Sequence, residues 1–186
     1  MKFGADSPDL DAIDLQIINT LQEHGRIPLV KLGEQVGLSA PSVNERVKKL
    51  EDSGIVTGYH ASVDARRLGK DVAAFIGVSI VHPRTIPLFE ETIELLEDVL
   101  ECHHVTGEHT LLLKVKTDNT SSLERLIRSI RSIEGVARTE TMVVLSTHTE
   151  REQIAVHANG ERHEAGNGRR HRHAPARNAL PDAKRV

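Results

Sequence analysis

The side chains best suited to grip another molecule crowd into one short stretch of the chain. Ser42, Asn44, Glu45, Arg46, Lys48 and Lys49 place hydroxyl, amide, carboxylate and cationic groups in one short run that follows Ser39. Lysine and arginine pair with phosphate oxygens, an amide forms two hydrogen bonds with adenine, and a carboxylate accepts from the amino group of cytosine. The chemistry on offer is that of a nucleic-acid duplex, its backbone and base edges together. The same residues also suit an ordinary surface helix with solvated charges, and spacing alone does not separate the two. A second cluster, Thr106-Gly107-Glu108-His109-Thr110, reads as a hairpin loop. A third, Cys102, His104 and His109, invites a metal. Cys102 and His104 fall on one side of a strand, but no further ligand is spaced as in a closed zinc site, and His103 points away. Adjacent histidines on a half-exposed strand are ordinary polar surface, so no metal is expected.

The elements that must hold these groups follow from periodicity. Ser39 is a good N-cap, Pro41 is tolerated in a first helical turn, and Val43, Val47 and Leu50 recur on one stripe. Arg46 lies nearer that stripe than its neighbours, within reach of an acidic residue of the first helix. Upstream, Leu29 to Val36 is a short helix, and Gly37 separates the two. Asp9 to Leu21 forms an earlier helix with acidic residues at its start and Leu10, Ile13, Ile17 and Leu21 inside. Helix, glycine turn and capped second helix make a helix-turn-helix pattern. Gly54 ends the third helix, and Ile55 to Val63 is expected as a short strand, either a β-wing or the start of a linker.

Residues 9–63 are thus expected as one domain and 64–71, polar and glycine-containing, as a linker. Residues 72–149 follow a β-α-β-β-α-β pattern: strands at 72–81, 99–106, 111–115 and 136–145, with helices near Ile86 to Glu97 and around Leu123 to Ile130. This is a ferredoxin-like α+β unit, with two helices on one face of an antiparallel sheet. The apolar strands predict that the other face is buried on a second subunit. Residues 150–186, with Arg169-Arg170-His171-Arg172-His173, lack apolar periodicity and are expected as a disordered tail that could scavenge metal or add weak phosphate affinity without a defined site.

Composition narrows the function. Aromatic residues make up 2% of the chain, which disfavours stacking on single strands. The formal net charge of -3 excludes general coating of nucleic acid, so DNA binding must come from a local basic face. Cys102 is the only cysteine, and no apolar run approaches membrane-spanning length. A cytoplasmic protein without membrane attachment is expected, and no cofactor is called for. No nucleophile elbow, Walker loop or dinucleotide fingerprint is present, so an enzyme is not expected.

The ordered phrases Leu10-Asp11 with Asp14, Leu21-Gln22-Glu23-His24-Gly25-Arg26, Leu38-Ser39 through Arg46-Val47-Lys48-Lys49-Leu50-Glu51, Gly54-Ile55-Val56 with Gly58-Tyr59, and Val105-Thr106-Gly107 before Leu112-Leu113-Lys114-Val115 resemble the Lrp/AsnC family of transcription regulators. The match covers both domains, from about Asp9 to Leu145. The resemblance implies an N-terminal helix-turn-helix, a hinge strand, and a sheet domain that forms homodimers and then octamers. It also implies a small effector, usually an amino acid, bound between dimers near the Gly107 hairpin. On this basis Ser39, Ser42, Asn44, Glu45, Arg46, Lys48 and Lys49 are the candidate contacts to double-stranded DNA. Thr106, Gly107, Glu108, His109 and Thr110 are the candidate effector residues. The family often carries an aromatic residue and then an aspartate where this chain has His109 and Thr110. Thr110 cannot supply the carboxylate an ammonium group prefers, so either Glu108 substitutes or the chain takes a different ligand or none.

Two competing expectations have different signatures. A small-molecule-binding or catalytic ferredoxin-like α/β dimer with an accessory helical domain would use His109 as a general base and show no sequence-specific DNA affinity. A pure assembly module would form large oligomers with neither activity.

Overall fold

The computed structural model describes residues 10–156, which divide into two compact units, one of residues 10–60 with 152–156 and one of residues 61–151. In the first, α1 spans Ala12–Glu23, α2 Leu29–Val36 and α3 Ala40–Asp52. Asp11 and Asp14 start α1 with a reciprocal capping box: each side chain accepts from the other's backbone amide, at 2.8 and 3.2 Å. Gly37 ends α2 in the left-handed conformation, φ 73°, which a side chain would strain. Ile17, Ile18, Leu32, Val43, Val47 and Leu50 form the buried centre of the three helices.

The strand expected over residues 55–63 does not form. The amides of Ile55 and Val56 instead donate to the Leu50 carbonyl at 3.0 and 3.1 Å, and both side chains pack on the helical core. Amides committed to closing a helix are not available to a strand ladder. Tyr59 then donates its hydroxyl to Glu51 Oε1 at 3.0 Å. Burial first, and the Glu51 carboxylate second, push that phenol up to about 12.

Residues 152–156 carry no regular element but are held against α1. Gln22 makes a paired amide contact with Ile154, donating to its carbonyl at 3.0 Å and accepting from its amide at 2.7 Å. Val156 packs on the helical core and accepts from Asn19 at 3.4 Å. Of the tail expected over 150–186, residues 157–186 lie outside the described residues.

The second unit is the ferredoxin-like fold anticipated from the pattern. Its elements are β1 (Val72–Ile80), α4 (Ile86–Glu94), β2 (Val99–His104), β3 (Leu111–Thr117), α5 (Thr120–Arg131) and β4 (Val136–Val143). The sheet order is β2-β3-β1-β4, every neighbour antiparallel. Ala74, Ile76 and Val78 alternate toward one face, where they meet Leu111, Leu113 and Val115 of β3, Phe89 and Ile93 of α4, and Leu123, Leu126 and Ile130 of α5. Side chains directly opposite one another share a face, so Phe75, Lys114 and Met142 form one row across the other face, and Gly77, Leu112 and Glu140 the next. Residues 64–71, expected as a linker, belong to this unit. Lys70 pairs with Asp98 at 2.7 Å and Asp118 at 3.0 Å, which raise its pKa to about 12.

Candidate nucleic-acid interface and effector hairpin

Helix α3 presents its polar groups because its apolar stripe is spent on the core. Ser39 caps it, accepting from the Ser42 amide at 3.4 Å, and the two hydroxyls lie 2.9 Å apart. Val43, Val47 and Leu50 are buried, which turns Asn44, Glu45, Lys48 and Lys49 to solvent and leaves Ser42 and Arg46 half-buried. None of the ion pairs among the described residues involves Lys48 or Lys49. Both lysines are exposed. Arg46 behaves differently. Its Nη1 donates to Asp11 Oδ2 and Asp14 Oδ1, both at 2.7 Å, and these bonds, Asp11 first, raise its already high pKa. Of the two roles its position allowed, the structure shows the internal one: Arg46 ties α3 to the start of α1.

The second candidate site joins β2 to β3. Gly107 turns the hairpin at φ 123°, and Thr110 accepts at Oγ1 from the Ile80 amide at 3.2 Å while its own amide donates to Val78 at 2.9 Å. Thr110 therefore fixes the hairpin to β1 and presents no charge. Glu108 accepts from Arg138 Nη1 at 2.9 Å, and Arg138 Nη2 reaches Glu140 at 3.2 Å. His109 lies over Gly77, where an added Cβ would collide with the imidazole ring. The absence of a side chain at Gly77 is what seats the imidazole. Its Nε2 is 3.6 Å from Glu140 Oε2, and its buried Nδ1 has no hydrogen-bond partner.

The trio Cys102, His104 and His109 is divided by the sheet. Cys102 and His104 pair in register with Leu113 and Leu111, on the helix-covered face, and His104 contacts Glu90 of α4 at 2.8 Å. His109 lies over the open face. Sequence reasoning missed Arg138 and Glu140 as neighbours of the hairpin. They come from β4, and only the register Gly77↔Glu140 brings them there.

A capped, outward-facing second helix of a helix-turn-helix, followed by a ferredoxin-like sheet, defines a DNA-reading protein with an α/β companion domain. Residues 10–51 match the AsnC-type helix-turn-helix domain, and residues 73–154 match the Lrp/AsnC ligand binding domain. The chain belongs to the Lrp/AsnC family of transcription regulators. It is 32% identical over 147 residues to the HTH-type transcriptional regulator FL11 of Pyrococcus furiosus, covering 79% of this chain and 97% of that one. It is 35% identical over 140 residues to the leucine-responsive regulatory protein of Klebsiella pneumoniae, covering 74% and 85%. A Neisseria meningitidis transcriptional regulator, solved in complex with L-methionine, superposes with a TM-score of 0.76 at 30% identity, covering 79% and 97%. The relatives are transcription regulators, not enzymes, and this chain is a DNA-binding regulator of the same type. No described helix is long and apolar enough to cross a membrane.

Proposed function

We propose that this regulator is cytoplasmic, reads specific duplex sequences through α3, and changes its assembly and DNA affinity when a small effector, an amino acid, binds at the Gly107 hairpin. The observation that carries the DNA half is the outward row Asn44, Glu45, Lys48 and Lys49 on a helix whose opposite stripe is buried. Asn44 and Glu45 read base edges, Ser39, Ser42, Lys48 and Lys49 hold the backbone, and Arg46 positions the helix from behind. One small reading head binds weakly. Homodimerisation, with octamers beyond it, multiplies the contacts and sets half-site spacing.

Support for the effector half comes from the mixed charges around the hairpin. Glu108 and Glu140 suit an ammonium group and Arg138 suits a carboxylate. The Neisseria neighbour of similar fold, solved in complex with L-methionine, supports this reading. Effector binding would favour one oligomer over another by its differential affinity for them.

Fluorescence-anisotropy titration on duplex DNA from the protein's own upstream region, at several salt concentrations, tests this reading. The Lys48→Ala/Lys49→Ala variant should bind more weakly at every sequence. Its log K against log salt slope should be shallower by about 2, at ~0.9 for each phosphate no longer neutralised. Equal, weak, salt-sensitive binding to specific and unrelated duplexes would refute sequence-specific reading. Adding amino acids singly to the same assay identifies the effector.

A further inference from the structure

Glu108, His109 and Glu140 each turn one potential ligand atom into a common space, and we infer that they form a binding site for a divalent transition-metal ion such as zinc. The three atoms lie within 4.8 Å of one another. Zinc holds nitrogen and carboxylate ligands at about 2.0–2.2 Å, so atoms sharing one ion sit about 3–4 Å apart. His109 Nε2 and Glu140 Oε2, at 3.6 Å, have that separation and are too far apart for a hydrogen bond. The imidazole side chain is only 15% exposed, yet neither ring nitrogen has a hydrogen bond among the described residues. A ring held in place by Gly77, with Nε2 turned toward carboxylates but hydrogen-bonded to neither, is complemented by a cation.

Arg138 bears on the same space. It bridges the two glutamates at 2.9 and 3.2 Å, its single charge offsetting one of their two, and makes no hydrogen bond to the imidazole. Its side chain is 60% exposed, so it can swing into solvent when an ion enters. The donor set, one imidazole and two carboxylates, suits zinc and its first-row neighbours. Magnesium prefers an all-oxygen, largely hydrated shell. Three protein ligands leave positions for water or a further ligand. Because Nδ1 lacks the outer hydrogen bond that usually supports a metal-binding histidine, the ion exchanges readily. The site shares the hairpin assigned above to an effector, but neither needs an amino acid nor follows from one.

The test titrates zinc into the full chain in competition with a chromophoric chelator, with magnesium as the control ion. Removing an outer partner of a metal ligand costs ~10–100-fold, so His109→Ala and Glu140→Gln, which remove ligands outright, should weaken the site by more than that. Gly77→Ala keeps all three ligands but unseats the ring, and should also weaken binding. Arg138→Gln removes the competing cation and should tighten it. The His171→Ala/His173→Ala variant controls for zinc held by the distal histidines and should retain the site. Zinc binding equal in the parent, His109→Ala and Glu140→Gln, or abolished only with the distal histidines, would overturn the inference. If His109→Ala does not fold, Glu140→Gln and Arg138→Gln, with their opposite expected shifts, still decide it. Amino-acid titration in zinc-free buffer tests the effector reading separately, since either result there leaves the metal result standing.

Discussion

Arg46 and Lys48 are two residues apart and carry the same charge, yet the protein uses them differently. Arg46 is committed to Asp11 and Asp14, and Asp14 is only 5% exposed. Arg46→Ala leaves a buried carboxylate oxygen without its partner, a loss of about 1–3 kcal/mol of stability by thermal or denaturant unfolding. The same substitution should leave the salt slope of DNA binding unchanged, whereas Lys48→Ala lowers it by about 1. Acid adds a second signature. The Asp14 amide first, and Arg46 second, hold the Asp11 carboxyl below its ordinary 3.8. A carboxyl depressed by folding contributes stability above its unfolded pKa and loses it as pH falls through the lower folded value. Unfolding midpoints followed from pH 5 downward should therefore fall less steeply in Arg46→Ala than in the parent. The choice between the two roles of Arg46 was only half legible in the sequence. Its position near the buried stripe could be read from spacing, but its reach to Asp14, 32 positions away in sequence, depends on how α1 and α3 cross.

At the scale of elements, the caps and stripes carried nearly all the readable information. Ser39 announces a helix start chemically and caps as expected, whereas Asp11, expected inside a helix running from Asp9, is itself the N-cap of α1. Ser39→Ala should cost about 1 kcal/mol in unfolding free energy, while Ser39→Asp retains the cap; circular dichroism during denaturant titration separates the two. The alternation in β1 and β3 likewise shows in composition, because the buried face is aliphatic except for Thr117. The 55–63 segment misled for a physical reason. Its β-branched residues have strand propensity, but propensity supplies no partner, and Leu50 offered its carbonyl to the amides of Ile55 and Val56.

For the whole molecule, the sheet face away from the helices is a surface of the second unit that no described helix covers. Phe75, Leu112 and Met142 place apolar groups across three adjacent strands there, with Met142 44% exposed. If homodimers form through this face, Phe75→Glu puts a charge in the seam and should shift sedimentation equilibrium toward monomer. DNA affinity would fall with it, since two reading heads would no longer act together. Long-range register was the part of the site that the sequence concealed. Nothing local in Glu140 or Arg138 indicates a meeting with His109, which the pairing of β1 with β4 brings about.

The paired amide contact between Gln22 and Ile154 has a consequence for synthesis. The DNA-reading unit is discontinuous: residues 152–156 return to pack on residues 10–60, and the whole sheet unit lies between them in sequence. On the ribosome, the three helices emerge long before the segment that closes them. The reading head therefore gains these last contacts only after the sheet unit has been translated, and vectorial synthesis itself orders the two events.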